Sequence, residues 1–578
     1  MSGCFKLTLK AGAVFLFLLA VFLYFYCVLP FWGMPFNAQR RGNLPLTPAW
    51  ALEPWIWEDD TVTAASTMEL LDGYLEHDFP VGTILIDSPW SLRYNDFTVD
   101  EERFPDPENF FKTIKSRGIR ICLWMTPNVN SRSDDTGVPE SQDWYQEAAD
   151  RGYLVGGGTQ YKWWKGRGGL IDYTNPEAMK WWRGLQQQVL DWGIDAWKLD
   201  DTASYFSRPV FGKVPIFYQK THQGWMTTRG YMDHYYRDEY QHGLTKNPEF
   251  VTMSRAIDSV LPWVHPEGFA PQDASPLNWV GDNTHTWRDA DRGLERALRC
   301  ILRSAELGYN LPGSDIAGYH GDKIIPPEIY IRWTQFSTFC GFFLNGGHGE
   351  RRMWMRSDEE FSLVREYSWL RSELVPYIYS HVVETHKGAP VLMRIVKGKY
   401  QYLFGESLLV APIYEESAER TVLLPPGKWR YWFDDTKLID GGTTLQRNYP
   451  MAQYPVFIKE GAIIPMNISR GYTGIGEEDW AGMLTLNIYP AASSAFTVHH
   501  PDKSGALQVK VQKDAGAVTV DLEGKAKAHI LRILLDQKPQ ILRFQGKELP
   551  EDTWTWDAEK QRLVIRNEEE QTGRYEIR

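Results

Sequence analysis

Cysteine is scarce in this sequence, with five residues in a chain of 578. Cys4 and Cys27 lie in or beside an apolar N-terminal stretch, and Cys122, Cys300 and Cys340 stand in apolar runs. This count and spacing exclude a disulfide framework and predict buried core residues. The sequence also lacks CxxC pairs, the HExxH pattern and glycine-rich phosphate loops. We therefore expect no obligatory metal ion, nucleotide or other cofactor.

An excess of positive charge is also missing. The chain has 62 Lys and Arg against 74 Asp and Glu, a net charge of −12. A nucleic-acid partner is excluded on this ground, because phosphate binding needs a basic face. Aromatic residues are plentiful instead, with 25 Trp, 29 Tyr and 27 Phe. They can fill cores or form platforms for apolar ring faces, and composition leaves both uses open.

Charged side chains are absent from residues 11–29, AGAVFLFLLAVFLYFYCVL, which follow Lys6 and Lys10. As a helix this stretch is about 28 Å long, close to the roughly 30 Å hydrocarbon core of a bilayer. A cleaved signal peptide is the alternative, but no small-x-small cleavage site follows. We therefore expect residues 1–35 to form an uncleaved single-pass anchor in the lipid bilayer. The N-terminus would be cytoplasmic and the remainder extracytoplasmic (periplasmic, extracellular or luminal).

Short apolar runs alternate with helical patterns from residue 46 to about 355. Eight runs fit β-strands, at 49–57, 82–87, 119–127, 195–200, 249–254, 277–282, 309–315 and 339–345. The clearest helix lies within 289–308, with one apolar face made of Leu294, Leu298, Ile301, Leu302 and Ala305. This alternation predicts an α/β fold, a (β/α)₈ barrel over residues 46–390 including its final helix. An open doubly wound sheet is the alternative, but its glycine fingerprint is missing.

Residues after 390 follow a different pattern. Runs such as RTVLLPPGKWRYW and ALQVKVQKDAGAVTVDL alternate apolar and polar residues between Gly and Pro turns. This is typical of antiparallel sheet. We expect two β-sandwich domains, a proximal one at 391–475 and a distal one at 476–578.

Several predicted barrel strands end in a carboxylate. The run GIDAWKLDD, residues 193–201, closes on Asp200 and Asp201. A strand that leaves the core and caps the next helix would explain one such residue. Runs ending in Asp87, Asp200, Asp282 and Asp315 would direct four carboxylates at one mouth, where they repel each other unless a site uses them. The pattern therefore favours an active site at the C-terminal ends of the strands.

Several blocks of the sequence resemble family 31 of the glycoside hydrolases, from about residue 46 nearly to the C-terminus. In order along the chain they are NDFTVDEERFPDPENFFKTIKSRGIRICLWMTPNVN, LIDYTNPEAMKWW, MSR, WVGD, GSDIAGY, FGESLLVAPI and FIKEGAIIP. The resemblance implies a retaining α-glycosidase on a (β/α)₈ barrel followed by C-terminal β-domains. It also implies a carbohydrate substrate, an α-glycoside.

By this resemblance Asp200 takes the place of the nucleophile and Asp282 that of the acid/base. Retaining glycosidases need two carboxyl groups about 5–5.5 Å apart, which neighbouring strand ends can supply. Lys198 and Arg255 are candidate cations that keep Asp200 ionised. Asp282 must be protonated at rest, so we expect a drier surrounding for it, with Trp279 as a possible wall.

Other matched positions concern the sugar. Asp87 matches a carboxylate that binds sugar hydroxyls, and Trp164 matches an aromatic wall of that subsite. For Asp315, structural support and direct substrate contact are equally open. Trp124 and Trp197 lie mid-strand and are expected in the barrel core, while Asp201 is expected to cap a helix.

The chain departs from the family pattern in two places. Relatives usually carry a β-sandwich before the barrel, whereas here only the predicted anchor and about 15 residues precede the first strand. The strand-eight block reads FFLNGGHGE, with Leu344 or Asn345 where relatives have Arg. His348 matches their sugar-binding His only with an insertion. These departures leave the sugar and its linkage unassigned.

Two alternatives remain open from the sequence. A catalytically silent carbohydrate-binding or scaffold protein could use the same barrel, although two retained carboxylates favour an enzyme. In YKWWKGRGG, Lys162, Lys165 and Arg167 surround Trp164. A solvated basic loop is the simpler interpretation, and the other hypothesis is that Arg167 contacts an anionic substituent of the sugar. The sequence makes no prediction of oligomeric state.

Overall fold

The computed structural model describes residues 2–32, 43–59, 62–200, 206, 208–210, 214–255, 270–321, 324–474, 479–514 and 516–578. For 2–9, 27, 31–32, 208–210 and 214–216 only the backbone is described. The predictions for Asp201 and for the side chains of Cys4 and Cys27 therefore lie outside the described residues. Cys122, Cys300 and Cys340 are buried, as predicted.

The described helices are numbered in chain order: α1 (Ser2–Leu23), α2 (Leu29–Trp32), α3 (Ala64–Glu76), α4 (Pro107–Ser116), α5 (Gln142–Asp150), α6 (Pro176–Asp191), α7 (Thr228–Lys246), α8 (Leu294–Glu306), α9 (Pro327–Thr338), α10 (Asp358–Glu373) and α11 (Val375–His386). Local sequence determines where several of them begin. The Asn175 side chain caps α6 directly before Pro176, and a Ser357–Glu360 capping box starts α10. All five residues of the predicted apolar face of α8 are buried.

The first fifteen strands are β1 (Trp55–Ile56), β2 (Thr83–Ile86), β3 (Arg120–Met125), β4 (Asn128–Ser133), β5 (Tyr161–Trp163), β6 (Gly166–Leu170), β7 (Ala196–Leu199), β8 (Arg208–Val210), β9 (Val214–Ile216), β10 (Tyr218–Thr221), β11 (Gly224–Thr227), β12 (Val251–Arg255), β13 (Leu277–Trp279), β14 (Pro312–Gly313) and β15 (Leu344–Asn345). Eight of them form one sheet in the order β14-β13-β12-β7-β3-β2-β1-β15. Every pairing in this sheet is parallel. A parallel bridge between Asp315 and Leu344 joins its two ends, so the sheet closes as the predicted (β/α)₈ barrel.

The strands of the barrel are shorter than the apolar runs that predicted them. The run 49–57 begins with a 3₁₀-helix, Ala49–Leu52, and only Trp55–Ile56 pair as strand. Likewise 309–315 and 339–345 contribute two-residue strands. Apart from the partly buried Glu53, the remaining residues of these runs are buried all the same, because apolar character reports burial and not hydrogen-bonded pairing.

The remaining strands are β16 (Met393–Ile395), β17 (Tyr402–Phe404), β18 (Leu408–Val410), β19 (Glu419–Leu423), β20 (Lys428–Tyr431), β21 (Asp434–Asp440), β22 (Thr444–Asn448), β23 (Val456–Lys459), β24 (Ile463–Met466), β25 (Leu484–Ile488), β26 (Ser493–His499), β27 (Ala506–Asp514), β28 (Ala517–Gly524), β29 (His529–Leu534), β30 (Leu542–Phe544), β31 (Lys547–Glu548), β32 (Trp554–Asp557), β33 (Arg562–Asn567) and β34 (Gly573–Ile577). The proximal part is a six-stranded sheet, β16-β17-β18-β23-β20-β21, with the separate pair β19-β22. The distal part packs β24-β25-β29-β33-β32 on β26-β27-β28-β34-β30-β31 around its own apolar core. Its first strand, β24, precedes the predicted boundary at residue 476.

The proximal domain packs directly on the barrel helix α9. The buried guanidinium of Arg332 in α9 donates hydrogen bonds to the carbonyls of Tyr449 and Gln453, at 2.6 and 2.7 Å. Apolar residues of the barrel and of the proximal domain belong to one continuous core. This contact holds the proximal domain against the barrel.

The α1 helix continues into a π-helical turn, Tyr24–Val28, and this turn contacts the residues at the start of β10. The Tyr218 hydroxyl donates a 2.8 Å hydrogen bond to the carbonyl of Phe25, and the rings of Tyr26 and Phe217 meet edge to face. Within the described residues, no helix combines the length and the apolar character that crossing a membrane requires. The anchor is therefore not confirmed and stays a prediction.

Candidate active site

Three neighbouring barrel strands bring two carboxylates onto one arginine. Asp200 follows β7, Asp282 follows β13, and Arg255 ends β12, which lies between them. The Arg255 Nε donates to Asp200 Oδ1 at 2.8 Å, and its Nη2 donates to Asp282 Oδ2 at 2.7 Å. The other Asp200 oxygen accepts a 3.0 Å bond from Trp124 Nε1. Both predicted catalytic carboxyl groups therefore lie within hydrogen-bond distance of a single guanidinium.

The contacts of Asp282 favour its ionised form over the protonated form that we expected. Burial raises the pKa of Asp282, but the Arg255 guanidinium, with smaller contributions from the charges of Lys198 and Arg292, outweighs burial and holds this pKa below its ordinary value. The Asp282 side chain is 31% exposed, against 9% for Asp200, so its surrounding is also the wetter of the two. The Arg255 contact thus favours the ionised form of Asp282.

Trp279, the expected wall of Asp282, packs against the cations of the site. Its Nε1 donates to Asp315 Oδ2 at 2.8 Å, and its ring lies under two cations. Lys198 Nζ is 4.2 Å and the Arg255 guanidinium carbon 4.3 Å from the ring centroid. Trp279 therefore supports the cations of the site through its π face.

Lys198 forms an ion pair with Asp87. Its Nζ donates to Asp87 Oδ2 at 2.7 Å, and both side chains are almost fully buried. Burial lowers the pKa of Lys198, but the carboxylates of Asp87, Asp315 and Asp200 outweigh it and hold the pKa above its ordinary value. Lys198 therefore stays charged and acts on Asp200 from a distance, while Arg255 is the cation in direct contact.

Asp315 has the contacts of a supporting residue. It is fully buried, accepts the Trp279 indole N–H, and its backbone forms the bridge that closes the barrel. Burial raises the pKa of Asp315 to about 6. Trp279 thus connects Asp315, which binds the indole N–H, with Lys198 and Arg255, which lie over the face of the same ring.

The sequence interpretation missed Asp59, which follows β1. Its Oδ2 accepts a 2.6 Å bond from the Tyr319 hydroxyl and lies 3.1 Å from His348 Nε2. The Tyr319 ring stacks on Trp57, and Lys198 Nζ lies 4.1 Å from the centroid of the Trp57 ring. The structure thus places His348 in the site through Asp59. The rule applied to Asp87 and Asp200, a carboxylate at a strand end, would have identified Asp59 as well.

Asp59 supplies a prediction about pH-dependent stability. Burial, reinforced by the nearby charge of Asp87, raises the pKa of Asp59 to about 7. Between pH 4 and 7 the folded protein therefore binds more protons than the unfolded chain, so this group's effect on stability becomes less favourable as pH rises. We expect Asp59→Asn to raise the free energy of unfolding at pH 8 by about 2 kcal/mol and to change it little at pH 4. Chemical denaturation at both pH values measures this difference.

An exposed carboxylate is the matched control. Asp143→Asn, on the surface of α5, is expected to leave the pH dependence of unfolding as in the wild type. Equal destabilisation by Asp59→Asn at pH 4 and pH 8 would contradict the electrostatic interpretation.

Trp163 is the aromatic residue that stacks toward the site in this structure, and the predicted Trp164 lies beside it. Trp163 is buried, donates to Asn130 Oδ1 at 2.8 Å, and lies parallel to Trp124 at a centroid distance of 6.4 Å. Trp124 in turn contacts Asp200, so it belongs to the site and not only to the core. Trp164 is 46% exposed and meets Trp163 edge to face. Trp197 is fully buried in the core, as expected.

Arg167 does not face the site. It pairs with Lys162 across β5 and β6, while Trp163 pairs with Gly166 one position along. Because neighbouring residues of a strand point to opposite faces, Arg167 and Lys162 lie on the face away from Trp163. Arg167 is exposed and donates to Gln160 Oε1 at 2.8 Å. The contacts of Arg167 therefore favour the solvated basic loop over an anionic contact with the sugar.

Asn345, the polar residue of the unusual strand-eight block, is buried against helices α3 and α9. Leu344 is in the core, and the Asn345 side chain donates to the Tyr74 hydroxyl and accepts from the Tyr330 hydroxyl. Arg351, just after His348, donates to the carbonyls of Ile316 and His348. It therefore ties the loop that carries His348 to the loop after Asp315.

Comparison with known proteins identifies the family. The family model described as "Glycosyl hydrolases family 31 TIM-barrel domain" matches residues 44–381, more than half of the chain. The chain belongs to glycosyl hydrolase family 31. The family's C-terminal domain matches residues 380–464.

Family 31 relatives are distant but extensive. An alpha-xylosidase, XylQ, of Lactiplantibacillus pentosus is 25% identical over 523 residues, which cover 84% of this chain and 63% of the relative. This chain thus spans less than two thirds of that relative's length. A family 31 dextranase of Flavobacterium johnsoniae has a TM-score of 0.80 at 20% identity, covering 93% of this chain and 71% of that chain. A cycloalternan-forming enzyme of Listeria monocytogenes has a TM-score of 0.78 at 23% identity, and the match covers 93% of this chain and 55% of that chain. These two structures share the fold.

Proposed function

We propose that this family 31 protein is a retaining, exo-acting α-glycosidase that hydrolyses terminal α-linked sugars. Asp200 is the nucleophile and Asp282 the acid/base. The observation that carries the proposal is the Arg255 guanidinium, which binds one oxygen of each carboxyl group. Two carboxyl groups close together at one barrel mouth suit double displacement through a covalent glycosyl-enzyme.

In the first step Asp200 attacks the anomeric carbon while Asp282 gives a proton to the leaving oxygen. The N–H groups of Arg255 and Trp124 hold the attacking carboxylate in place. Asp282 must gain its proton before this step. Bound substrate displaces water from its partly exposed side chain, which disfavours the charged form and raises its pKa.

In the second step Asp282 is the base that activates water. Asp200 is now an ester and carries no charge, so Arg255 is free to stabilise the Asp282 carboxylate through the contact already present. The ionised Asp282 of the unliganded site therefore corresponds to the form that the second step needs.

The charges of the site favour a neutral terminal sugar. Asp59, Asp87 and Asp315 add three carboxyl groups to the catalytic pair, and the buried Lys198 is already neutralised by Asp87. An anionic sugar would meet repulsion there, whereas hydroxyl groups find acceptors on the carboxylates. The name alpha-xylosidase of one relative supports the same class of substrate.

The stereochemistry of the product tests the mechanism. With an α-glycoside that the protein hydrolyses, we expect the first product to have the α configuration, because two inversions restore it. Proton NMR within the first minutes, before mutarotation, measures the anomer. A β product formed first would contradict double displacement. Aryl α-glycosides of glucose, galactose and xylose form the screen for the sugar.

One observation favours the alternative of a catalytically silent carbohydrate-binding protein. Asp282 is ion-paired with Arg255 and its pKa lies below the ordinary value, which is unsuited to donating a proton. A cyclophellitol-type probe separates the two functions. Covalent labelling of Asp200 supports the glycosidase, and binding without labelling supports the silent protein.

A further inference from the structure

The loop after β13, which carries Arg292, is joined beside Asp282 to the loop after β14, which carries His320. In the barrel, β14 lies on the side of β13 away from β12 and β7, and therefore away from Asp200. Asn283 follows Asp282, and its carbonyl accepts hydrogen bonds from the backbone N–H of Tyr319 and of His320, at 2.9 and 3.1 Å. Its side-chain Nδ2 donates to the carbonyl of Arg292 at 3.1 Å. The backbones of His320 and Arg292 are thus fixed within hydrogen-bond distance of the residue next to Asp282.

Arg292 differs from the other arginines of its loop. Arg288 pairs with Asp291, and Arg296 and Arg299 pair with Asp289. Among the described residues, the partly buried Arg292 guanidinium has no ion-pair or hydrogen-bond partner. Its guanidinium N–H groups therefore remain available to bind an anion from outside.

The charge of Arg292 acts on Asp282. It lowers the pKa of Asp282 and contributes to lowering the pKa of His320, where burial is the larger cause. His320 is therefore neutral at pH 7, and Arg292 supplies the positive charge on this side of Asp282.

The position of these two loops relative to Asp282 indicates which part of the substrate lies against them. Asp200 and Arg255 are on one side of Asp282, where the sugar is attacked. An acid/base acts on the glycosidic oxygen, so the leaving group extends past Asp282 toward the other side. That side is formed by the loops of Arg292 and His320.

We propose that these two loops form a leaving-group subsite in which Arg292 binds an anionic substituent, such as a carboxylate, carried close to the glycosidic oxygen. This inference rests on the proposed glycosidase function and adds the class of its leaving group. The enzyme thus removes a neutral terminal sugar from an acidic acceptor. An arginine fork suits a carboxylate through two parallel hydrogen bonds.

The test compares two glycosides that share the sugar which the wild type hydrolyses. One carries glucose as leaving group and the other carries glucuronate through the same linkage. We expect kcat/KM to favour the glucuronate glycoside by about 10- to 100-fold, the effect of a charge-assisted contact. In Arg292→Asn the preference should fall below about 3-fold, with the loss confined to the anionic substrate.

The variant and its control are chosen to keep the fold. Arg292 has a left-handed backbone, φ 61°, which asparagine tolerates well. Arg288→Asn, an exposed arginine of the same loop, is expected to keep the full preference. Equal kcat/KM of the wild type on both glycosides, or equal losses on both in Arg292→Asn, would overturn the inference while leaving the glycosidase function intact.

Binding keeps the two proposals separable if neither glycoside turns over. Absence of turnover together with absence of probe labelling at Asp200 contradicts the glycosidase function. Calorimetric titration of both glycosides into Asp200→Asn and Asp200→Asn/Arg292→Asn then tests the subsite. Tighter binding of the glucuronate glycoside that depends on Arg292 supports it, and equal affinity overturns it.

Discussion

Asp200→Asn is expected to lower kcat/KM on every α-glycoside by about 10⁴-fold or more, because the neutral amide cannot form the glycosyl-enzyme. The substitution keeps the volume of the side chain and an acceptor oxygen for the Trp124 N–H. Steady-state rates with 4-nitrophenyl glycosides measure the loss. Mass spectrometry should show no adduct with a cyclophellitol-type probe, which labels the wild-type residue.

Small external nucleophiles and a matched variant control this experiment. Azide should restore turnover in Asp200→Gly with a β-glycosyl azide as product, because one displacement inverts the anomeric centre. Asp191→Asn, an exposed carboxylate at the end of α6, should keep the wild-type rate. A labelled or fully active Asp200→Asn would show that another residue is the nucleophile.

Asp282→Asn should separate substrates by their leaving groups. With an unactivated glycoside, kcat/KM should fall about 10²- to 10⁴-fold, because no proton reaches the leaving oxygen. With a 2,4-dinitrophenyl glycoside, kcat/KM should stay within about 10-fold of the wild type, since that group departs without protonation. The second step still lacks its base, so kcat should fall and a glycosyl-enzyme on Asp200 should accumulate as a burst.

The burst and its rescue are the decisive measurements for Asp282. Intact-protein mass spectrometry should detect the added sugar mass on the variant, and azide should release it as the α-glycosyl azide. Equal losses in kcat/KM for both leaving groups would contradict the acid/base assignment. They would indicate instead that Asp282 mainly positions Arg255 through their 2.7 Å contact.

The ionisation of Asp282 connects these results to the arrangement of charges. Arg255 is shared between two carboxylates, so a change in one is felt by the other. In Asp200→Asn the guanidinium has one charged partner left, and the pKa of Asp282 should fall further. The acidic and alkaline limits of activity therefore belong to the pair and not to either residue alone.

Several features of this protein were determined by local sequence. The amphipathic pattern of α8 predicted which five side chains are buried, because a helix repeats its faces every 3.6 residues whatever lies around it. The alternation of apolar runs and helices similarly predicted the closed parallel barrel. The strand-end position of Asp87, Asp200, Asp282 and Asp315 followed from the same pattern.

Other features were decided only by contacts between residues distant in the chain. Trp163 and Trp164 are adjacent in sequence, yet the register of β5 on β6 turns one toward Trp124 and leaves the other exposed. The same register turns Arg167 away from the site. Asp59 enters the site because β1 and β15 are neighbours, which brings His348 within 3.1 Å of it.

The ionisation states of the site residues were the feature that the sequence predicted least well. Sequence placed Asp200 and Asp282 on strands of one barrel, and it assigned both Lys198 and Arg255 to Asp200. In the tertiary structure Lys198 forms an ion pair with Asp87, and Arg255 forms ion pairs with both catalytic carboxylates. A pKa depends on burial and on charges within a few ångströms, and these distances exist only once the barrel has closed.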